Sequence, residues 1–238
     1  MQPISIVIPA YNEAGNISSL VTEIFDTLPQ ELVGEVIVVD DASRDATGDE
    51  IAAMLPARPK LRLVRHTQNA GQSRAVRSGV AAARFPVVAT LDGDGQNPPA
   101  DIATLVAAWA AEGPQLVGGH RVRRRDTWSK RFASRFANGL RRALLRDDCP
   151  DTGCGLKVFP RDAHLDLPFF HGQHRYLPAL MRAAGYSAAF LPVGDRPRTQ
   201  GSSKYTNFQR AVVGIPDLLG VAWLVRRSRP TRTVEEQR

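Results

Sequence analysis

The sequence alternates short runs of β-branched residues with segments of helical periodicity, and this alternation constrains the fold more than any other feature. The strand-like runs are 4–8, 35–39, 61–64, 87–91 and 115–119. The helical patterns between them are 14–28, 45–54, 70–84 and 100–112. Apolar strands connected by helices predict βαβ units and a Rossmann-like, mainly parallel sheet covered by helices on both faces. With 238 residues, the chain is long enough for one such domain with short appendages.

Polar segments directly follow three of the predicted strands. They are PAYNE (9–13), DDASRD (40–45) and DGDGQ (92–96). In open α/β sheets, ligands bind where the carboxyl ends of the strands meet. The sequence therefore predicts a binding site at this edge of the sheet.

The DGDGQ segment has the donor atoms of a divalent-cation site. Asp92 and Asp94 lie two residues apart at the end of an apolar strand, and glycines let the chain turn there. A hard cation takes oxygen ligands, often one or two carboxylates together with substrate phosphates. We therefore expect Mg²⁺ or Mn²⁺ bound by Asp92, Asp94 and the amide oxygen of Gln96. The alternative is a solvated acidic turn.

Asp40 and Asp41 follow a strand of buried type, where carboxylates can accept hydrogen bonds from a base or a ribose. The alternative is a helix-entry turn, with Ser43 or Asp45 as the N-cap residue. Glu13, which ends the PAYNE segment, is either part of a helix cap or part of the same nucleotide pocket.

The positive charge of the chain is concentrated in one segment. Residues 121–146 contain ten Lys or Arg residues and one acid, so this segment carries +9 while the whole chain carries +7. A basic strip on a nearly neutral body suits a localised anionic partner. Residues 129–146 also show the periodicity of a basic amphipathic helix.

Residues 211–225 are the most apolar stretch, but Pro216 and Asp217 interrupt it and it is shorter than a membrane span. Apolar residues recur at helical spacing through Leu219 and Trp223, and three arginines follow. This pattern predicts either an interfacial membrane helix or a helix in a core or oligomer interface. The predicted organisation is a catalytic domain over 1–205, this helix over 206–227 and a basic tail over 228–238.

Taken together, the motifs resemble those of glycosyltransferase family 2, in its polyprenyl-phosphate (dolichol-phosphate mannose synthase-like) branch. The matching segments are PAYNE (9–13), VVDDASRD (38–45), NAGQSRAVRSG (69–79), DGDGQNPP (92–99), GHRVRRRD (119–126), DTGCGLKVF (151–159), HRYLPAL (174–180) and RPRTQGSSKY (196–205). The resemblance implies a GT-A fold, transfer with inversion and a polyprenyl-phosphate acceptor at the cytoplasmic membrane face.

The resemblance also assigns roles to individual residues. The nucleotide sugar would contact Pro9, Tyr11, Glu13, Asp40, Asp41, Asp92 and Gly93. Catalysis would depend on Asp92, Asp94 and Asp151, where Asp151 is either a site residue or a turn residue ahead of Gly153. The acceptor phosphate would contact Arg121, Ser134, Arg198, Ser202, Lys204 and either Lys130 or its neighbour Arg131. Asp195 stands where the family commonly has His, which puts in doubt any contact transferred to that position.

The chemistry of the acceptor indicates a mechanism. A phosphate monoester is largely anionic near neutral pH, so it needs no strong base to act as a nucleophile. The work of the site is then to stabilise the departing nucleoside diphosphate and to align two anions. The family favours GDP-mannose as the donor, with a UDP-sugar as the alternative.

Other functions are weighed against this one. The same fold could act on a soluble or polysaccharide hydroxyl. A nucleic-acid-binding protein is disfavoured because the basic strip lacks interleaved aromatics, so no nucleic-acid partner is expected. A NAD-binding enzyme is disfavoured because GxGxxG does not follow the first strand. The first residues lack the basic segment of a signal peptide, which predicts a cytoplasmic protein peripherally associated with the membrane.

Overall fold

The computed structural model describes residues 2–112, 115–121, 139, 141, 143–145, 147–197 and 207–228. The strands are β1 (Ile4–Ala10), β2 (Val33–Asp40), β3 (Leu61–Arg65), β4 (Val87–Thr90), β5 (Leu116–Arg121), β6 (Lys157–Pro160) and β7 (Ala188–Val193). The helices are α1 (Ile17–Thr27), α2 (Thr47–Met54), α3 (Gln72–Ala82), α4 (Asp101–Glu112), α5 (Arg161–Asp166), α6 (Gln173–Ala183) and α7 (Asn207–Arg227). The predicted alternation of strands and helices in the first half is confirmed.

Within the described residues, seven strands form one sheet in the order β3-β2-β1-β4-β6-β5-β7. The pairs β1–β2, β1–β4, β2–β3 and β5–β7 are parallel, while β6 runs antiparallel to both β4 and β5. Ala10 pairs with Asp40, and Val7 pairs with Thr90, so the loops after β1, β2 and β4 leave the same edge of the sheet. The sheet is mainly parallel, as predicted.

The side chains of β1 show how the two faces of the sheet are filled. Ile4, Ile6 and Ile8 are fully buried in the apolar cluster that includes α1 and α4. Val7 points to the other face, where it packs in the cluster that includes α3 and α6. Because successive side chains of a strand alternate between faces, a wholly apolar strand requires helices on both.

The antiparallel strand β6 was not predicted. No strand was predicted within residues 151–159, but Lys157–Pro160 form a strand in the interior of the sheet. Four apolar and basic residues do not reveal a strand by periodicity alone. Lys157 pairs with Thr90, so the residues before β6 lie beside the residues after β4. This pairing brings residues 151–156 to the edge that holds DGDGQ.

Candidate active site

The DGDGQ segment forms the turn after β4, and two of its glycines are required by the geometry. A Cβ atom at Gly93 would lie 3.1 Å from the carbonyl oxygen of Pro9, so the turn packs closely on the end of β1. Gly95 has a φ of +72°, which side-chain-bearing residues rarely adopt. The Asp94 carboxylate accepts the N–H of Gln96 at 3.1 Å, which closes the turn.

Asp92 is half-buried between two segments that come from distant parts of the chain. On one side, Nε2 of Gln72 donates to Oδ1 of Asp92 at 2.8 Å. The second segment contains Gly155, where a Cβ atom would be 2.2–2.3 Å from the Asp92 carboxyl group. The hydroxyl of Thr90 donates to the carbonyl oxygen of Gly155 at 2.7 Å, which fixes that backbone against β4. The position of Asp92 therefore depends on α3 and on the loop before β6.

The donor set at this turn fits a hard divalent cation that binds together with a substrate. Asp92 and Asp94 bring two half-buried carboxylates to the carboxyl end of β4, and Gln96 adds an amide. Among the described residues, no group of three or more His, Cys, Asp or Glu side chains could hold a metal alone. Mg²⁺ in such sites commonly takes one or two carboxylates together with substrate phosphates. The residues present are compatible with that arrangement.

The segment after β7 is tied to the DGDGQ turn. The N–H of Arg196 donates to the carbonyl oxygen of Gln96 at 2.8 Å, and the Arg196 guanidinium binds Glu23 of α1 through two bonds of 2.9 and 3.0 Å. In the part of the chain that the structure describes, Oδ1 of Asp195 is buried and has no hydrogen-bond partner. Asp195 also raises the pKa of Arg121 through its charge, although less than Asp151 does.

Asp40 and Asp41 differ from the acids after β4 because both are buried, at 6% and 2% exposure. Oδ1 of Asp40 accepts the N–H of Ser43 at 2.9 Å. The Asp41 carboxylate accepts the N–H groups of Ala70 and Gly71 at 2.9 and 2.7 Å. Its Oδ1 also lies 2.6 Å from Nδ1 of His66. In this structure, the Asp41 carboxylate holds the loop ahead of α3.

The loops after β1 and β2 are fastened to each other by hydrogen bonds. The N–H of Glu13 donates to Oγ1 of Thr47 at 2.8 Å, and the N–H of Ala14 donates to Oδ2 of Asp45 at 3.2 Å. Oδ1 of Asp45 accepts from the N–H and hydroxyl of Thr47. Burial alone would raise the pKa of Asp45, but these hydrogen bonds outweigh it and lower the pKa. Pro9, Tyr11 and Glu13 are half-buried along this joined pair of loops.

Arg121 and Asp151 form an ion pair at the end of β5. Nε of Arg121 donates to Oδ2 of Asp151 at 2.7 Å, and Nη2 donates to Oδ1 at 3.1 Å. Burial opposes the charge of Arg121, yet the hydrogen bond and charge of Asp151 raise the pKa of the guanidinium. Asp151 also accepts the N–H of Gly153 at 3.1 Å. Through these contacts, the Asp151 carboxylate holds the Arg121 guanidinium in place.

Two arginines of the basic strip are described, and both are paired with acids. Arg121 is paired with Asp151, and Arg141 is buried in an ion pair with Asp147. Both partner acids lie just beyond residue 146. Gly139, Arg141 and residues 143–145 are helical, in agreement with the predicted basic helix. The predicted phosphate contacts Lys130, Arg131, Ser134, Arg198, Ser202 and Lys204 lie outside the described residues.

Helix α7 has one buried and one exposed face. Val221 and Ala222 are buried in the cluster that includes α6, and the hydroxyl of Tyr176 donates to the carbonyl oxygen of Gly214 at 3.2 Å. The large apolar side chains exposed on the described part of the molecule are Ile215, Leu219 and Trp223, at 62, 60 and 61%. Their spacing of four residues places them in one stripe. No helix among the described residues has the length and apolar character to cross a bilayer.

The fold and this edge define a GT-A glycosyltransferase domain. A profile of Glycosyl transferase family 2 matches residues 5–167, and the chain belongs to this family. Two similar proteins are undecaprenyl-phosphate 4-deoxy-4-formamido-L-arabinose transferases. The one from Edwardsiella ictaluri is 33% identical over 210 residues, which cover 86% of this chain and 63% of the relative. The one from Enterobacter sp. (strain 638) is 34% identical over 221 residues, which cover 91% and 66%. The chain thus spans less than two thirds of these relatives.

Solved structures of glucosyl-3-phosphoglycerate synthase from Mycobacterium tuberculosis share the fold. The complex with UDP aligns with a TM-score of 0.71 and 23% identity, and covers 93% of this chain and 80% of that one. The complex with Mn²⁺, UDP and glucosyl-3-phosphoglycerate aligns with a TM-score of 0.68 and 21% identity, and covers 98% and 82%. The predicted GT-A fold and the resemblance to family 2 are confirmed.

Sequence reasoning missed Gln72 and Gly155, which contact the predicted metal-binding carboxylate. Gln72 lies within the NAGQSRAVRSG segment, and Gly155 lies within DTGCGLKVF. Both segments were recognised as family motifs, yet their spacing gives no sign that they converge on Asp92. Only the placement of β6 between β4 and β5 brings Gly155 there.

Proposed function

We propose that this chain transfers a sugar from a UDP-sugar to polyprenyl phosphate, with inversion, at a membrane surface. The observation that carries the proposal is the pair of half-buried carboxylates, Asp92 and Asp94, at the carboxyl edge of the sheet of a family 2 domain. The names of the relatives favour polyprenyl phosphate as the acceptor. The expectation of GDP-mannose has no support from them, and the structural neighbours contain UDP.

The donor would lie along the edge formed by the loops after β1, β2 and β4. Tyr11, Glu13 and Asp40 are the candidates for the nucleoside, and the DGDGQ turn is the candidate for the diphosphate. A bound Mg²⁺ or Mn²⁺ would act as a Lewis acid on the leaving diphosphate, with Asp92, Asp94 and Gln96 as its protein ligands. The loops after β1 and β2 are hydrogen-bonded to each other, and the DGDGQ turn packs on the end of β1, so the protein holds these groups in place before the donor arrives.

The acceptor phosphate carries its own nucleophilic charge, so the reaction needs no general base. Asp151 accordingly serves as a positioning residue, because its carboxylate is engaged by Arg121. A guanidinium has five N–H donors, so Arg121 can bind Asp151 and still donate to a phosphate. Arg121 is thus the described residue that we assign to the acceptor phosphate.

Helix α7 supplies a surface for the membrane in which such an acceptor resides. The stripe of Ile215, Leu219 and Trp223 is exposed, and Arg226 and Arg227 follow it. The guanidinium carbon of Arg227 lies 5.5 Å from the centre of the Trp223 ring. An apolar stripe with tryptophan and arginine at its end matches the interfacial zone of an anionic bilayer.

A transfer assay tests the reaction directly. The protein is incubated with labelled UDP-sugars and either polyprenyl phosphate or a water-soluble hydroxyl acceptor, with and without Mn²⁺. We expect label in an organic-extractable product that mild acid releases, and only with the cation present. Label in the soluble acceptor alone would overturn the choice of acceptor, and full activity with chelator would overturn the metal role.

Vesicle flotation tests the membrane surface. Replacing Ile215, Leu219 and Trp223 with Ser should abolish flotation with anionic vesicles, while Arg84→Gln, an exposed change before β4, should leave it unchanged. Equal flotation of both variants would show that α7 is not the membrane-binding surface.

A further inference from the structure

Gln72 is the first residue of α3, and its exposed side chain reaches the predicted metal-binding carboxylate. Its Nε2 lies 2.8 Å from Oδ1 of Asp92, twenty residues further along the chain. The residue before it, Gly71, has a φ of +83°, which turns the backbone sharply into the helix. Gln72 is therefore placed by the start of α3 and not by the DGDGQ turn itself.

The first turn of α3 is held from two directions. On one side, the buried Asp41 carboxylate accepts the N–H groups of Ala70 and Gly71. On the other, the Oγ atom of Ser73 lies 2.6 Å from Nδ1 of His174, at the start of α6, and accepts the N–H of Gly172 at 3.1 Å. Such contacts limit the positions that the backbone of Gln72 can take, although its side chain is exposed.

The amide group of the Gln72 side chain matters as much as its position. An amide donates a hydrogen bond to a carboxylate without neutralising it, whereas Lys or Arg would compete with a cation for the same charge. Gly155 also packs against Asp92, so closely that a Cβ atom there would collide with the carboxyl group. Gln72 and Gly155 together restrict the rotation of the Asp92 side chain.

We propose that Gln72 is a positioning residue that holds the Asp92 carboxylate ready for the cation of the donor diphosphate. This inference rests on the proposed function, because it assumes that Asp92 binds a cation together with UDP. It adds a connection between the two loops: the acid after β2 fixes the start of α3, and α3 fixes the acid after β4. Residues that orient metal ligands typically change metal affinity by about 10- to 100-fold when replaced.

The test compares Gln72→Met with the wild type in direct binding of Mn²⁺. Methionine keeps the length of the side chain and removes the donor. Binding of Mn²⁺ in the presence of UDP is followed by electron paramagnetic resonance of the free ion. Calorimetry measures UDP without metal, and thermal denaturation reports on the fold. Gln30→Met, the same change at an exposed glutamine before β2, is the matched control.

We expect Gln72→Met to weaken Mn²⁺ binding in the UDP complex about 10-fold, with metal-free UDP binding and the melting temperature unchanged. Mn²⁺ affinity equal to that of the wild type would overturn the inference. A variant that also loses metal-free UDP binding or thermal stability would overturn it too, since Gln72 would then be structural. If the wild type binds no Mn²⁺ with UDP, the proposed function fails instead.

Discussion

The loops after β2 and after β4 begin alike and end in different environments. Two acids lie close to the end of each buried strand: Asp40, the last residue of β2, is followed by Asp41, and Asp92 and Asp94 follow β4. Asp40 and Asp41 are buried, at 6% and 2% exposure, whereas Asp92 and Asp94 are half-buried. An acid that follows a strand can thus stabilise the fold or face a ligand.

The groups that donate hydrogen bonds to Asp41 and to Asp92 explain why the two carboxylates have different roles. Asp41 accepts backbone N–H groups from the loop ahead of α3, and backbone donors that lose a buried acceptor have no other partner. Asp92 accepts from the exposed side chain of Gln72, an amide that donates a hydrogen bond without neutralising the carboxylate. The first arrangement fixes a loop, and the second leaves a charge that a cation can share.

The largest effect is expected from Asp94→Ala. If Asp94 binds the cation that stabilises the leaving diphosphate, its removal should lower kcat about 10³-fold, the equivalent of roughly 4 kcal/mol. Because Asp94 is only half-buried on a surface turn, the melting temperature should remain within about 2 °C of the wild type. Steady-state kinetics measures kcat, and thermal denaturation measures the melting temperature. Unchanged kcat at saturating Mn²⁺ would remove Asp94 from the site.

Asp41→Ala should have the opposite profile, with a large loss of stability. The change leaves two backbone N–H groups and His66 without their buried acceptor, which should lower the free energy of unfolding by about 3 kcal/mol. Urea denaturation measures the loss, and Asp162→Ala, an exposed acid in α5, should change stability by less than about 0.5 kcal/mol. If Asp41→Ala is as stable as the wild type but fails to bind UDP, the sequence-based assignment to the nucleoside is correct.

Two glycine substitutions compare the acids at the end of β2 with those after β4 without removing a carboxylate. Gly155→Ala would place a Cβ atom 2.2–2.3 Å from the Asp92 carboxyl group, which must rotate away. A displaced catalytic group commonly costs about 10²-fold in rate, so activity should fall while the fold persists. Gly48→Ala would place a Cβ atom 2.5 Å from Oδ2 of Asp40, and should instead lower stability by about 1 to 3 kcal/mol. The comparison fails if both variants lose stability alike.

The sequence could predict the sheet, its parallel first half and the edge at which the polar loops meet. Those features depend on local periodicity and on the shared direction of parallel strands. It could not predict β6, because four residues with Lys157 at their start carry too little pattern. Without β6, Gly155 has no reason to lie next to Asp92, and 63 residues of sequence separate them.

The difference between the two loops was also beyond the sequence. Asp41 and Asp92 both follow an apolar strand, and nothing in their neighbours shows which one will be enclosed. The enclosure of Asp41 comes from residues 66–71, which fold back over the end of β2. The sequence also could not show that two arginines of the basic strip are paired, since the acids that pair with Arg121 and Arg141 lie outside residues 121–146.

The smallest expected effect concerns Asp45, the exposed acid in the loop after β2. Hydrogen bonds from Thr47 and Ala14 lower its pKa in the folded protein despite some burial. Its contribution is therefore complete above the ordinary pKa of 3.8 and is lost as the pH falls through the lower folded value. Asp45→Asn should reduce stability by less than about 1 kcal/mol at pH 7, because the site is exposed.

Urea midpoints of the wild type and Asp45→Asn at pH 7, 5 and 3 test this expectation. The gap between the two proteins should be the same at pH 7 and 5 and should narrow toward pH 3, where the carboxylate becomes protonated. Asp49→Asn, whose side chain is 86% exposed in α2, should differ from the wild type by less than about 0.5 kcal/mol at pH 7. A gap that persists unchanged at pH 3 would mean that the charge of Asp45 does not join the loops after β1 and β2.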